Sequence, residues 1–246
     1  MTDKPVSGKI ALVTGSGQNI GRSIAVRLAD AGADVVLNGS ANRDACEETA
    51  ALVRKTGQQA HIAMGDVGTP DGAKSVARAA LDHAGRIDIL VNNAARRPHK
   101  PFLDLTDDDW AGVVGVALTG AFRLTRAVLP GMIDAHWGRI VNLTGMNAIR
   151  GYVEGAPISA AKHGLLGMSK SIAREFAPHG ITVNVVSPGQ IRADSAAQDD
   201  PKRAAQIPAG VMGRPHDIAA TVAFLASPEA AFITGQMIAV NGGQET

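Results

Sequence analysis

The amino-acid sequence has few aromatic side chains and a single cysteine. Aromatic residues make up 3% of the 246 positions, and Tyr152 is the only tyrosine. The lone Cys46 excludes an internal disulfide, and because no cysteine and histidine cluster surrounds it, we expect no structural zinc or other metal site. This cysteine usage fits the reducing cytoplasm, which is where we expect the protein to reside.

The sequence also lacks an excess of charge and a long apolar run. Lysine and arginine number 24 against 23 aspartates and glutamates, so we expect no broad basic surface for nucleic acid or anionic lipid. The amino-terminal apolar run covers only Ile10 to Val13, and no segment approaches 18 apolar residues. We therefore expect neither a nucleic-acid partner nor a membrane segment.

Short apolar runs alternate with segments in which apolar residues recur every three or four positions. This alternation is typical of βαβ units with a mostly parallel sheet. The predicted strands are 10–14, 34–38, 61–64, 87–92, 139–144, 181–186 and 237–240. We predict one α/β domain over residues 1–246: a Rossmann-type, doubly wound, seven-stranded mostly parallel sheet with helices on both faces. The polar stretch at about 189–213 is predicted to be a mobile loop with a short helix.

A glycine-rich turn follows the first predicted strand and leads directly into a helix. It reads Thr14-Gly15-Ser16-Gly17-Gln18-Asn19-Ile20-Gly21. Glycine permits the chain to turn tightly and approach a pyrophosphate, whose charge is stabilised by the amides at the helix amino terminus. The turn therefore indicates a dinucleotide site, although a glycine-rich turn without a ligand has the same local pattern.

The turn resembles the T-G-x-x-x-G-x-G fingerprint of the short-chain dehydrogenase/reductase family, with Asn19 at the middle glycine. Five further segments resemble family motifs in the same order, namely Asp66-Val67, Asn92-Asn93-Ala94-Ala95, Pro188-Gly189-Gln190-Ile191, Ile233-Thr234-Gly235 and Asn241-Gly242-Gly243. The resemblance covers about Gly8 to Gly243. The resemblance, together with the residues at the end of the second strand, implies a cofactor site. Its residues are Gly15, Gln18, Asn19, Ile20, Gly21, Ser40, Asp66, Val67, Asn92, Lys162, Pro188, Gly189 and Ile191.

The choice of cofactor is read at the end of the second strand, where an acidic side chain would select NAD. This chain reads Asn38-Gly39-Ser40 and has no carboxylate there. Ser40 and the nearby Asn42 and Arg43 offer hydrogen-bond donors, which favours NADP(H) over NAD(H). The alternative is that Arg43 begins a helix and faces solvent.

The resemblance also implies that the catalytic residues differ from those of the family. The family places a tyrosine four residues before a lysine; here the lysine is Lys162 and the tyrosine position is Ile158. The family serine and asparagine correspond to Gly145 and Ala117, and a threonine that meets the nicotinamide corresponds to Ala193. We therefore expect a divergent member that lacks the catalytic Asn, Ser and Tyr.

Tyr152 and Lys162 are the candidate catalytic residues. Tyr152 lies six residues before the vacant tyrosine position, and its phenol could exchange a proton if Lys162 lowered its pKa. Packing against the substrate or a loop is the alternative for Tyr152. Lys162 is expected to hold the nicotinamide ribose, or to act as a base if desolvation depresses its pKa.

A run of cations follows the Asn92-Asn93 motif, at the strand edge where open α/β sheets bind ligands. It contains Arg96, Arg97, His99 and Lys100, and Arg150 lies on the neighbouring loop. Arg96, Arg97 and Arg150 are predicted to bind a carboxylate or phosphate of the substrate. Solvated loop charge is the alternative.

Three functions are compatible with this pattern. The first is an NAD(P)-dependent oxidoreductase acting on a small carbonyl or hydroxy compound with a non-standard active site. The second is a non-redox enzyme on the same scaffold, such as a lyase, isomerase or dehydrohalogenase, and the third is a nucleotide sensor without catalysis. The resemblance further implies a homotetramer formed through segments 110–129 and 156–176.

Overall fold

A parallel β-sheet forms the centre of the protein. The computed structural model describes residues 4–196 and 198–245. Its strands are β1 Ile10–Val13, β2 Asp34–Gly39, β3 Ala60–Met64, β4 Ile89–Asn92, β5 Gly138–Leu143, β6 Ile181–Pro188 and β7 Met237–Val240. Their order in the sheet is β3-β2-β1-β4-β5-β6-β7, and all six pairings are parallel. The prediction of a seven-stranded doubly wound sheet is confirmed.

Helices cover both faces of this sheet. They are α1 Asn19–Asp30, α2 Arg43–Lys55, α3 Pro70–Ala84, α4 Asp107–Val114, α5 Gly120–Asp134, α6 Ala156–Phe176, α7 Pro201–Ala204 and α8 Pro215–Ala226. The period of two along a strand sends alternate side chains to opposite faces. In β1, Ala11 and Val13 pack with α1, α2 and α8, whereas Leu12 packs with α3 and α5. The apolar strands are therefore buried on both sides.

A continuous helical stretch, Asp107–Asp134, consists of α4, a π-helical turn at Gly115–Thr119 and α5. By length and composition alone it could cross a membrane, a test that core helices also pass. Here α5 packs against α3 and α4 packs against α6. The stretch begins with a capping box in which Thr106 and Asp109 satisfy each other's backbone amides.

The predicted loop at about 189–213 contains the short helix α7 and a bridge between Ile191 and Gly213. Ala197, inside this loop, lies outside the described residues. The short helix is confirmed, and the mobility of the loop stays a prediction.

Candidate active site

A cleft of about 380 Å³ opens at the carboxyl edge of the sheet. It lies where the strand order reverses between β1 and β4, the position at which doubly wound sheets bind ligands. Eight of the predicted cofactor residues line it: Gly15, Gln18, Asn19, Ile20, Gly21, Ser40, Asp66 and Val67. The tertiary structure therefore brings these eight predicted residues together in one cleft.

The glycine-rich turn brings helix α1 against the end of β1. A Cβ atom at Gly21 would lie 2.1 Å from the carbonyl oxygen of Gly15, so no larger residue fits at this contact. The N-cap residue Gln18 makes no side-chain capping bond, and the first turn of α1 has no acidic residue. The first-turn amides can therefore bind an anion, and the turn fits a pyrophosphate.

Asn19 replaces the middle glycine of the fingerprint and adopts a left-handed conformation with φ of 48°. Asparagine tolerates this region better than other residues with a Cβ. Its side-chain oxygen accepts a hydrogen bond of 3.0 Å from the backbone N–H of Asp194. Asn19 thus joins the glycine-rich turn to the loop after β6.

Three polar residues outside the predicted set hold the walls of the cleft. Asn38, at the end of β2, donates to the carbonyls of Ala63 and Gly65. Asn93 donates to the carbonyls of Thr14 and Gly15, and the Thr14 hydroxyl accepts the backbone amide of Asn93 at 2.9 Å. The polar residues that follow or end β1, β2 and β4 in the sequence could have indicated this network.

Asp66 and Arg96 form an ion pair of 2.7 Å on the wall of the cleft. The other oxygen of Asp66 accepts the backbone amide of Gly68. The family resemblance assigns Asp66 to the adenine, so this pair places Arg96 at the adenine end. Its predicted role toward the substrate stays a prediction.

Lys162 is completely buried beside the end of β5. Its ammonium donates to the carbonyl oxygen of Leu143 at 2.5 Å. Burial lowers the pKa of Lys162 to about 7, and the positive charge of Arg97 contributes to the same shift. An amine with this pKa can give or take a proton at neutral pH.

The other predicted cofactor residues lie beneath or beyond the cleft. The Asn92 side chain donates to Asn142 at 2.8 Å and thereby joins β4 to β5. Pro188 ends β6, and Gly189 donates its amide to the carbonyl of Val240. Ile191 makes the bridge to the returning loop. These contacts join the ends of β4 to β7 to one another and to the loop after β6.

The positions that resemble the family's tyrosine and asparagine lie in one apolar cluster. Ile158 and Ala117 are 4% and 2% exposed and pack with Val113 and Ala161. The serine position, Gly145, has φ of 97°, where a serine would be strained. The hydroxyl of the preceding Thr144 bonds the carbonyl of Val186 and so points into the sheet, as strand alternation predicts.

Tyr152 lies next to Arg150. The Arg150 guanidinium lies 5.2 Å from the centre of the Tyr152 ring, and a hydrogen bond between the two side chains raises the pKa of Arg150. Arg150 also pairs with Glu245 at 2.9 Å. The phenol of Tyr152 therefore belongs to a cluster at the carboxy terminus of the chain.

The cations of the predicted run differ in their ion pairs. Lys100 pairs with Asp109 at the start of α4, and Arg96 pairs with Asp66 as described above. Arg97 lines the cleft and, within residues 4–196 and 198–245, makes no hydrogen bond or ion pair. Although the residue as a whole is exposed, burial of its guanidinium lowers the pKa of Arg97.

The fold and the cleft define a dinucleotide-binding protein of the doubly wound α/β class. The family model described as Enoyl-(Acyl carrier protein) reductase matches residues 15–245. The 3-oxoacyl-[acyl-carrier-protein] reductase FabG of Vibrio cholerae is 41% identical over 242 residues, which cover 97% of this chain and 98% of that protein. FabG of Escherichia coli is 42% identical over 240 residues, covering 96% and 97%.

A solved structure shows the same architecture. Acetoin dehydrogenase YohF from Salmonella typhimurium superposes with a TM-score of 0.91 at 33% identity, covering 96% of this chain and 95% of that one. The chain belongs to the short-chain dehydrogenase/reductase family.

Proposed function

We propose that this protein is an NADP(H)-dependent oxidoreductase that interconverts a carbonyl and a hydroxyl group on a small substrate through a non-standard active site. The names of the FabG relatives and of the acetoin dehydrogenase describe carbonyl and alcohol chemistry of this kind. The observation that carries the proposal is the cleft lined by the glycine-rich turn, Ser40 and Asp66, in a fold that also buries Lys162 completely beside the end of β5.

The cleft supports NADP(H) at its adenosine end. Ser40 and Asn42 line it and contribute no negative charge. A Cβ at Gly39 would lie 2.7 Å from the Cys46 sulfur, so the chain has no room there for the acidic side chain that selects NAD. Arg43 begins α2 and lies 3.6 Å from Glu47, whereas Ser40 and Asn42 line the cleft, so we propose these two as the donors to a 2′-phosphate.

When bound, the nicotinamide supplies or accepts the hydride. We propose that Lys162 holds the adjoining ribose, since its ammonium has protons left after it bonds Leu143. In the reducing direction the carbonyl carbon gains a hydride and the carbonyl oxygen gains a proton. We propose that Lys162 donates this proton and becomes a neutral amine, which solvent then reprotonates.

Two features support a changed proton donor. The buried apolar cluster around Ile158 offers no exchangeable proton at the family's tyrosine position. A buried amine with a pKa of about 7 is matched to proton transfer at neutral pH. Tyr152 is the other candidate, and its ring lies 5.2 Å from the Arg150 guanidinium.

The proposal is tested by following NADPH absorbance with a panel of small ketones and oxo acids. We expect substrate-dependent oxidation of NADPH that Lys162→Met removes and Tyr152→Phe retains. A loss of ~10²–10⁴-fold in Tyr152→Phe would assign the proton to the phenol instead. Product formation without an absorbance change would favour a lyase, isomerase or dehydrohalogenase. Tight NADP(H) binding without any turnover would favour a nucleotide sensor.

We also propose that the protein is a cytoplasmic homotetramer. The outer faces of α4 and α5 expose Trp110 and Phe122, each 43% accessible, which supports burial of these helices against a second copy. Light scattering after size-exclusion chromatography gives the assembly mass, and a mass of one chain would contradict the proposal. Cell fractionation tests the location.

A further inference from the structure

Arg22, near the start of α1, joins the glycine-rich turn to helix α2. Its Nε and Nη2 atoms donate to the carbonyl oxygen of Gly17 at 3.1 and 2.7 Å. The same two atoms donate to the side chains of Thr49 and Glu48 on α2, at 3.1 and 2.8 Å. One guanidinium therefore binds the turn and the neighbouring helix at the same time.

The turn and α2 also pack closely where Arg22 joins them. A Cβ atom at Gly17 would lie 3.2 Å from the Cβ of Ala45, in the first turn of α2. Thr49 is fully buried one turn further along, and its hydroxyl donates to the Ala45 carbonyl at 3.0 Å. Arg22 therefore fixes the Gly17 carbonyl relative to a closely packed part of α2.

The direction of the Gly17 carbonyl decides where the next amide points. In a trans peptide the carbonyl and the following N–H point in opposite directions, so the Gln18 N–H points away from Arg22. Gly17 and Gln18 both line the cleft. Within residues 4–196 and 198–245 the Gln18 N–H makes no hydrogen bond, so it is available to an anion such as a pyrophosphate.

We infer that Arg22 is a positioning residue for the cofactor: it holds the Gly17 carbonyl against α2, so that the Gln18 amide donates to the pyrophosphate. The inference rests on the proposed function, which supplies the dinucleotide. Arg22 is not among the described residues that line the cleft, so it acts through the turn and not by contact with the phosphates.

The test measures NADP⁺ binding to the cofactor-free protein by isothermal titration calorimetry. We expect Arg22→Met to bind ~10-fold more weakly than wild type, the effect of losing about one hydrogen bond to a charged group. Arg22→Lys keeps the positive charge but not the forked donors, so it should lose most of the same affinity. Full affinity in Arg22→Lys would assign the effect to charge alone and overturn the positioning role. Circular dichroism verifies that each variant is folded.

Arg27→Met is the matched control, because it removes an exposed arginine from the same helix. We expect this variant to bind NADP⁺ as wild type does. Thr49→Val removes the hydroxyl that bonds the guanidinium and should weaken binding less than Arg22→Met. The two changes together should add little, since both act on the same carbonyl, and fully additive losses would contradict a shared restraint.

Adenosine 2′-monophosphate separates the turn from the rest of the cleft, because it carries the 2′-phosphate but no pyrophosphate. We expect Arg22→Met to bind this fragment as tightly as wild type does. A loss as large as the loss for NADP⁺ would indicate a general distortion of the cleft and would overturn the inference.

Hydrogen exchange of the unliganded protein tests the restraint without any cofactor. Peptides that span residues 15–22 should exchange faster in Arg22→Met than in wild type, whereas peptides from β5 should not change. Equal exchange at the turn would overturn the inference even if NADPH is consumed, and the proposed function would stand. Weaker NADP⁺ binding in Arg22→Met without turnover by wild type would retain the inference and refute the proposed function. No binding of NADP⁺ by wild type would overturn both.

Discussion

Ala117 and Ile158 belong to the same small buried cluster, although one lies in the π-helical turn before α5 and the other in the first part of α6. The family resemblance assigns an asparagine and a tyrosine to these positions. Here two apolar side chains occupy these positions and lie in one apolar cluster. A polar side chain at either position would enter an apolar environment.

Ile158→Tyr restores the family residue but should destabilise the protein. The larger ring must enter a closely packed cluster and its hydroxyl must find a partner, which together cost ~1–3 kcal/mol. Urea unfolding measures the difference in free energy. The control Ile158→Leu keeps the volume and should cost less than ~1.5 kcal/mol. If the tyrosine variant is as stable as wild type, room for a phenol exists and the packing argument is wrong.

Lys162→Met should change how stability depends on pH. The pKa of Lys162 is about 7 in the folded protein and ~10.4 when unfolded. Between these values the unfolded chain binds one more proton, so wild-type stability rises with pH in this window. Relative to Lys162→Met, wild type should gain ~1.4 kcal/mol per pH unit from pH 7 to 9.

Urea unfolding at pH 7, 8 and 9 tests this expectation, with the exposed Lys170→Met on the same helix as the control. That variant should show a constant difference from wild type. A constant difference in Lys162→Met as well would mean that the buried amine keeps an ordinary pKa.

The reaction should depend on pH in opposite senses in its two directions. Reduction needs the protonated form of Lys162, so kcat/KM for reduction should be level below pH 7 and fall about tenfold per unit above it. Oxidation needs the neutral amine and should rise over the same range. Profiles that are flat in both directions between pH 6 and 9 would exclude Lys162 as the proton carrier.

Ser40→Asp should change the preference for the cofactor. A carboxylate at the adenosine end would repel the 2′-phosphate and accept bonds from the ribose hydroxyls. We expect NADPH affinity to fall at least ~10-fold while NADH affinity is kept or improved, as measured by fluorescence titration. The control Ser75→Asp adds the same charge on the exposed face of α3. NADPH binding that is unchanged in Ser40→Asp would refute the proposed position of the phosphate.

Two substitutions at Asn19 separate its backbone from its side chain. Asn19→Gly relieves the left-handed conformation but removes the bond to Asp194. Asn19→Ala removes the bond and keeps the strain, so we expect it to be less stable than Asn19→Gly by about 1 kcal/mol. Both variants should expose the loop after β6 to faster limited proteolysis. Cleavage at the wild-type rate in both would show that the bond does not restrain this loop.

Much of the fold could be predicted from local pattern, because buried parallel strands are short and apolar on both faces. The seven predicted strands differ from the observed ones by at most two residues at either end, and the glycine-rich turn lies where the motif places it. The network of Thr14, Asn38 and Asn93 was harder to foresee, since its bonds join residues up to 80 positions apart. Distances of this kind are set by strand order.

The sequence by itself determined the doubly wound class and the position of the glycine-rich turn, and it shows Ala117, Gly145 and Ile158 without a polar side chain. Only the tertiary structure decided which of the predicted cations have a carboxylate partner. Arg96, Arg97 and Arg150 cannot be distinguished by sequence, since all three lie in predicted loops. Folding of distant segments brings Asp66 to Arg96 and Glu245 to Arg150. The lone tyrosine likewise lies beside Arg150, because charge pairing depends on which side chains the fold brings together and not on their order along the chain.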